Sequence, residues 1–203
     1  MSVIRRLPRY YRFISELYDR QVDKISSTGL AKIMNVTASQ VRQDLNCFGG
    51  FGQQGYGYSV ALLKDEIEKI LGIKNNAHCA VLLGAGNLGR AVAEHMNFEK
   101  LGFKLAAIFE LDPEKIGTEL RGMTVRNESE LLGFCAENQV EAAFLCIPKE
   151  SVKKIIPRLY DTGIRCYWNF SHYDIAAEYP DTIVENVHMS DSLMTLCFRM
   201  NDR

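Results

Sequence analysis

"AVLLGAGNLGRAVAEHM" runs from Ala80 to Met96. An apolar run leads into Gly84, Gly86 and Gly89, spaced G-x-G-x-x-G, and a helical pattern follows. This motif carries a mechanism when a strand precedes it and a helix follows. Gly84 permits the tight turn, Gly86 lets a pyrophosphate approach the backbone, and Gly89 lets helix and strand pack closely. The amides of Asn87 and Leu88 then face phosphate oxygens, with help from the helix dipole. The stretch reads as a dinucleotide site. The neighbouring sequence must decide whether the dinucleotide is used for chemistry or only sensed.

Downstream, "FKLAAIF" reads as a second strand ending at Glu110, 21 residues past Gly89. An acid there accepts hydrogen bonds from the adenosine ribose and repels a 2′-phosphate, which favours NAD(H) over NADP(H). Asp112 is either a second ribose partner or the cap of the turn "DPEKIG". Further strands are expected at "TV", "AAFLCI" and "RCYWNF", with helices over "ESELLGFCAEN" and "ESVKKIIPRLYDTG". The alternation predicts an α/β fold with a doubly wound parallel sheet of Rossmann type. Ligands bind beyond the carboxyl ends of such strands. Cys146-Ile147-Pro148 and Asn169-Phe170-Ser171 therefore become candidates for the nicotinamide half of the site. For Ile147 and Phe170, ordinary core packing competes evenly with that role.

Upstream, the charge changes sign. Residues 1–76 hold 11 Lys and Arg against 7 Asp and Glu, while residues 77–203 hold 13 against 18. Arg5, Arg6, Arg9 and Arg12 precede any acid. Such a split suggests that the first end meets a polyanion. Pro8 suits the first turn of a helix in which Tyr11, Ile14, Leu17 and Tyr18 recur at helical spacing. "SST" can cap a second helix with Leu30, Ile33 and Met34 inward. In "NVTASQVRQDL", Asn35 can take the left-handed turn, Val36 plugs the corner, and Thr37 caps a third helix with Val41 and Leu45 inward.

An αα-corner of this kind is common. Small Ala31 at the expected helix crossing, the basic setting and the outward set Ser39, Gln40, Arg42 and Gln43 favour a DNA reader. "FGGFGQQGYGYSV" follows, with aromatics alternating with glycines. It predicts a β-hairpin wing whose tip, Gln53 and Gln54 with Tyr56 beside them, reaches a minor groove or phosphates. Thr37 and Arg9 complete the candidate DNA-contacting set. "VALLKDEIEKILG" then closes a small domain through Leu63, Ile67, Ile70 and Leu71. "LGIKNNAH" marks the joint. The expected domains are residues 1–76 (winged helix), 77–187 (dinucleotide fold) and 188–203, a terminal helix.

Composition narrows the function. No run is long and apolar enough to span a membrane, so no membrane partner is expected. The six cysteines include no C-x-x-C, as suits free thiols in a reducing cytoplasm. The four histidines lack metal-ligand spacing, so no metal is expected. No nucleophile motif appears near a strand end, and no catalytic domain follows the sheet; the chain reads as a sensor, not an enzyme. His95 is the best acid/base candidate, although a lone helical histidine is more often structural. Met189, Leu193, Leu196, Cys197 and Met200 share one face of the terminal helix, which must cover something. It either folds back on its own sheet or reaches across to a partner chain, and a two-fold dimer would suit a DNA reader.

"LPRYYRFISEL", "TASQVRQDL", "FGGFGQQGYGYSV", "GAGNLGRAV", "IFELDPEKIG", "WNF" and "VENVHMSDSLMTLCF" together resemble the Rex family of bacterial redox-sensing repressors, over essentially the whole chain. The resemblance implies a winged helix, a Rossmann domain and a domain-swapped C-terminal helix in a homodimer. It also implies binding to AT-rich inverted repeats in double-stranded DNA near fermentation and respiration genes. NADH releases the DNA and NAD+ permits binding. A switch network near the nicotinamide would involve Arg12 and the positions of His95 and His188, where family members often carry Tyr and Asp. Asp191, one turn further, is a substitute for the latter. The alternatives are a small NAD-dependent oxidoreductase with a DNA-binding appendage, and a DNA-binding regulator of another adenine nucleotide such as coenzyme A.

Overall fold

The computed structural model describes residues 3–47, 49, 52–53 and 57–202. The chain divides into two compact units, residues 1–76 and 77–203.

The first unit begins with α1 (Val3–Asp19). The sequence places Pro8 in the first turn, but the helix extends back to Val3 and Pro8 lies inside it. Proline cannot return an N–H to the Ile4 carbonyl. Ile4 is 63% exposed, so water can take that carbonyl. The buried face of α1 is Leu7, Tyr10 and Ile14. Tyr11 and Leu17 pack at its margin, and Tyr18 is exposed with Lys64 Nζ 5.4 Å from its ring centre. The apolar stripe is therefore rotated from the expected one. β1 (Lys24–Ile25) leads to α2 (Ser27–Met34), which Ser26 caps by accepting the Gly29 amide at 2.9 Å. Leu30, Ala31 and Met34 face inward, whereas Ile33, expected inward, is exposed. Asn35 takes φ 51°, ψ 53°, and Thr37 caps α3 (Ala38–Asn46) by accepting the Gln40 amide.

After α3, β2 (Gly52–Gln53) pairs antiparallel with β3 (Gly57–Ser59), which pairs antiparallel with β1. β2 and β3 are the two arms of the expected hairpin, and β1 adds a third strand that lies outside the predicted wing. Gln53 lies in β2, while Gln54 and Tyr56 fall outside the described residues. α4 (Val60–Ile70) buries Val60, Leu63 and Ile67 in a core shared with α1, α2 and α3, with Leu71 partly buried against it, whereas Ile70, expected there, is exposed.

The second unit is built on one six-stranded sheet. Its strands are β4 (His78–Leu83), β5 (Phe103–Glu110), β8 (Arg126–Asn127), β9 (Ala142–Leu145), β10 (Cys166–Asn169) and β11 (Ile183–Asn186). They are all parallel, in the order β11-β10-β9-β4-β5-β8. The chain runs outward from β4 to β8, then returns to β9 on β4's other side. The boundary between β4 and β9 is thus the topological switch point, where open α/β sheets bind ligands. The strand expected at "TV" is displaced: Thr124 ends β7 (Met123–Thr124), which forms a small hairpin with β6 (Glu119–Leu120), and the parallel strand is Arg126–Asn127. β11 was not foreseen.

Alternation along β4 divides the core. Val81 and Leu83 join Leu131 and Cys135 of α6 (Leu131–Asn138) and Val152, Ile155, Ile156 and Leu159 of α7 (Lys149–Asp161). Ala80 and Leu82 join Val92 and Ala93 of α5 (Asn87–His95), with Phe98 and Phe144. Strands buried on both faces are apolar throughout, as β9 and the Ala80–Leu83 part of β4 are. A short α8 (Ile175–Glu178) precedes β11, and α9 (Met189–Asn201) ends the chain.

α9 buries no residue. Met189, Leu193, Leu196 and Met200 are exposed, and so are Met194 and Phe198, so its apolar surface is wider than one stripe. Cys135 is buried, Cys79, Cys146 and Cys166 are partly so, and Cys47 and Cys197 are exposed. Among the described residues no helix is long and apolar enough to cross a membrane.

Candidate nucleotide site and DNA-reading face

The glycine loop lies at the switch point. Gly84 has φ +98°, and a Cβ there would fall 2.5 Å from the Cys146 carbonyl oxygen. A Cβ on Gly89 would fall 1.8 Å from the Gly84 carbonyl oxygen, so nothing larger than glycine fits. A Cβ on Gly86 would meet nothing within 4 Å, which leaves the backbone there open. Gly86 is the N-cap of α5 and offers no side-chain acceptor, so the amides of Asn87 and Leu88 begin a helix with no capping side chain. Such a terminus favours anions. The residues present therefore fit a dinucleotide's phosphates.

The loop is pinned from both sides. Gly84 N–H donates to the Phe109 carbonyl at 2.8 Å, and Cys146 N–H donates to the Leu83 carbonyl at 2.9 Å. Glu110 accepts the Ala85 amide at 2.7 Å through Oε2, and the Leu111 and Asp112 amides through Oε1. The predicted ribose acceptor thus also holds the loop. Asp112 caps its turn, accepting from the Glu114 amide and from Lys115 Nζ, which holds its carboxyl below the usual range.

Beyond β9, Ile147 packs partly buried beside Gly84, and Pro148 is the N-cap of α7. Burial pushes the Cys146 thiol up to about 12. Beyond β10, Asn169 is fully buried and its polar capacity is spent. Its Nδ2 donates to the Tyr173 carbonyl and Asn186 Oδ1, and its Oδ1 accepts from the amide and hydroxyl of Ser171. Asn169 therefore shapes the turn carrying Phe170, whose half-buried ring meets Trp168 at 4.5 Å between centres. His95 is exposed at the last position of α5, on the order of 12 Å from Asn87 at 1.5 Å per residue. His188 is the N-cap of α9, with Nδ1 3.7 Å from Asp191 Oδ2. Its ring stacks on His172 with 5.0 Å between centres. That pairing escaped sequence reasoning because the two residues belong to different loops.

In the first unit, Ser39, Arg42 and Gln43 are exposed on α3 and Gln40 is half-buried. Arg42 reaches Ser27 Oγ at 3.2 Å. The Thr37 hydroxyl accepts as the cap and keeps a proton to donate. Arg9 donates to the Met34 carbonyl at the end of α2, and Arg12 is exposed on α1 beside the Phe13 ring. Asp44 is a further residue of this unit, one that no motif in the sequence singles out. It is 1% exposed and receives Arg6, Tyr10 and Gln40. An acid between the inward positions Val41 and Leu45 was the available signal.

Together these features define a ligand-responsive DNA-binding protein: a winged helix and a dinucleotide fold in one chain. Residues 1–46 match the family model described as the putative DNA-binding protein N-terminus, and residues 74–173 match the one described as the CoA binding domain. Over its whole length the chain is 47% identical to the redox-sensing transcriptional repressor Rex of Thermoanaerobacter sp. (strain X514), covering 89% of that protein. It is also 47% identical to the Rex repressor of Clostridioides difficile (strain 630), covering all of this chain and 95% of that one. The Rex-family repressor RSP, solved with beta-NAD+ and operator DNA, aligns with a TM-score of 0.87 at 46% identity, over 98% of this chain and 91% of that one. RSP solved with beta-NADH aligns at 0.88 and 44%, over 100% and 94%. The chain belongs to the Rex family of redox-sensing transcriptional repressors. It is a repressor and not an enzyme, which sets the oxidoreductase alternative aside.

Proposed function

We propose that this chain binds NADH and NAD+ on the Gly84–Gly89 loop and couples the redox state of the nucleotide to operator release. The observation that carries the reading is the open backbone at Gly86, set between two glycines that tolerate no side chain. Asn87, Leu88 and Gly89 receive the phosphates, Glu110 and then Asp112 the adenosine ribose, and Ile147, Pro148 and Phe170 bound the nicotinamide, with Cys146 and Asn169 behind them. An apolar wall of this kind penalises the charged ring of NAD+ through desolvation and spares NADH. Only a ligand with unequal affinity for two conformations shifts their populations.

DNA contacts are assigned to Arg9, Thr37, Ser39, Gln40, Arg42 and Gln43, with Gln53, Gln54 and Tyr56 from the wing. The operator is an AT-rich inverted repeat near fermentation and respiration genes, which calls for a homodimer. α9 supplies the contact by a domain swap, a reading supported by its wholly exposed apolar surface. A helix apolar on most sides is normally buried. Arg12, His95, His188 and Asp191 are the switch candidates. The protein works in the cytoplasm, where bacterial DNA lies.

The test is a gel shift on inverted-repeat DNA with NADH, NAD+, NADPH and coenzyme A. NADH should release the DNA and NAD+ should not. Equal release by both ends the redox model. The match of residues 74–173 to the CoA binding domain favours a second reading, a coenzyme A sensor. Release by coenzyme A alone would establish it.

A further inference from the structure

We infer that Asp44 is a positioning residue for base reading: it fixes the amide of Gln40 so that the N-terminal end of α3 discriminates at one base pair. This rests on the reading above, in which α3 enters the major groove.

The carboxylate of Asp44 lies on the inward side of α3 and is 1% exposed. Arg6 grips it with two prongs, Nε to Oδ2 at 2.8 Å and Nη2 to Oδ1 at 2.6 Å. The Tyr10 hydroxyl donates to Oδ2 at 3.0 Å. Such a fork holds a carboxylate in plane as well as in place. The remaining donor is Gln40 Nε2, one turn before Asp44, at 2.7 Å from Oδ1. An ionised carboxylate only accepts. The amide nitrogen of Gln40, not its oxygen, must therefore face Asp44, which settles an orientation that a free glutamine would leave open.

Gln40 sits in the first turn of α3, where a recognition helix meets base edges. With one N–H given to Asp44, it retains a carbonyl oxygen and one N–H. That is the acceptor-and-donor pair a glutamine uses on adenine N6 and N7. A preset amide loses no rotamer freedom on binding and presents its acceptor and donor in one order. Asp44 touches no base. Its charge is spent inside the unit, and its effect passes through Gln40.

The experiment is selection of bound duplexes from a randomised DNA library by the full chain and its variants Gln40→Ala, Asp44→Asn and the double. NADH titration and thermal melting of each variant confirm folding. Gln40→Ala and Asp44→Asn should each cost about tenfold in discrimination at the same base pair of each half-site. The double should lose no more than Gln40→Ala alone. Arg6→Lys, which loosens the fork and keeps Asp44, should give a smaller loss at that pair and serves if Asp44→Asn does not fold. A profile for Asp44→Asn equal to wild type, or uniformly weaker over all sequences, overturns the inference and leaves the DNA reading intact. A Gln40→Ala profile equal to wild type overturns the inference together with the assignment of Gln40 to DNA.

Discussion

The carboxylate of Glu110 accepts the amide of Ala85 at 2.7 Å, tying the end of β5 to the loop that opens α5. One side chain thus serves both the loop's shape and the candidate ribose contact. Removing it leaves a loop amide without its partner, which costs about 1–3 kcal/mol. Glu110→Ala should weaken NADH binding by roughly 5- to 150-fold and narrow the preference for NADH over NADPH, read by fluorescence titration. Unchanged affinity would move the ribose contact elsewhere, with Asp112 next in line.

Gly86 and Gly89 separate folding from binding. The clash of an added Cβ at Gly89 is with backbone, 1.8 Å away, so Gly89→Ala should destabilise the nucleotide unit by about 4 kcal/mol or more. Gly86→Ala meets open space and should cost about 1 kcal/mol at most as a cap exchange. It should still lower NADH affinity, by about tenfold, because the methyl occupies the approach of the pyrophosphate. Calorimetric melting and nucleotide titration of both variants check this. Equal losses of stability and affinity in the two would refute the division.

Asp44 gives the DNA-reading unit an acid-sensitive contact. Burial alone would raise its carboxyl, but hydrogen bonds from Arg6, Gln40 and Tyr10 outweigh that and hold it below the usual range. A group whose folded value is depressed stabilises the fold above its unfolded value, and the contribution disappears as pH falls through the folded one. Stability should be level near neutrality and decline below about pH 4. Asp44→Asn should lose about 2 kcal/mol at pH 7 and flatten that decline, measured by denaturant melts across pH. A wild-type acid profile in the variant would place the acid sensitivity elsewhere.

Thiol labelling reports on α9. Cys47 and Cys197 are exposed, while burial pushes Cys135 up to about 11 and Cys146 to about 12. The thiolate is the reactive form. Iodoacetamide should modify the exposed Cys47 and Cys197 first. If α9 docks on a second copy, Cys197 should become protected as protein concentration rises, with Cys47 unchanged. Labelling of Cys197 that is independent of concentration in a confirmed dimer would exclude α9 from the interface.

The linear sequence determined what depends on neighbours along the chain. Spacing alone located the glycine loop between strand and helix, because each glycine answers to a local backbone demand. Ser26, Asn35 and Thr37 punctuate α2 and α3 as read, since caps and left-handed turns are settled within a few residues. The apolar run before Gly84 likewise announced the strand β4. Only the tertiary structure decided what depends on distant segments. Pro8 lies inside a helix because packing of Leu7, Tyr10 and Ile14 outweighs one missing hydrogen bond. The edge strands β8 and β11 are short, and pairing with a neighbour defines them more than their own residues do. Asp44 meets Arg6 across 38 positions, and His172 meets His188 from another loop. No periodicity encodes such contacts, since burial and charge pairing are properties of the folded chain.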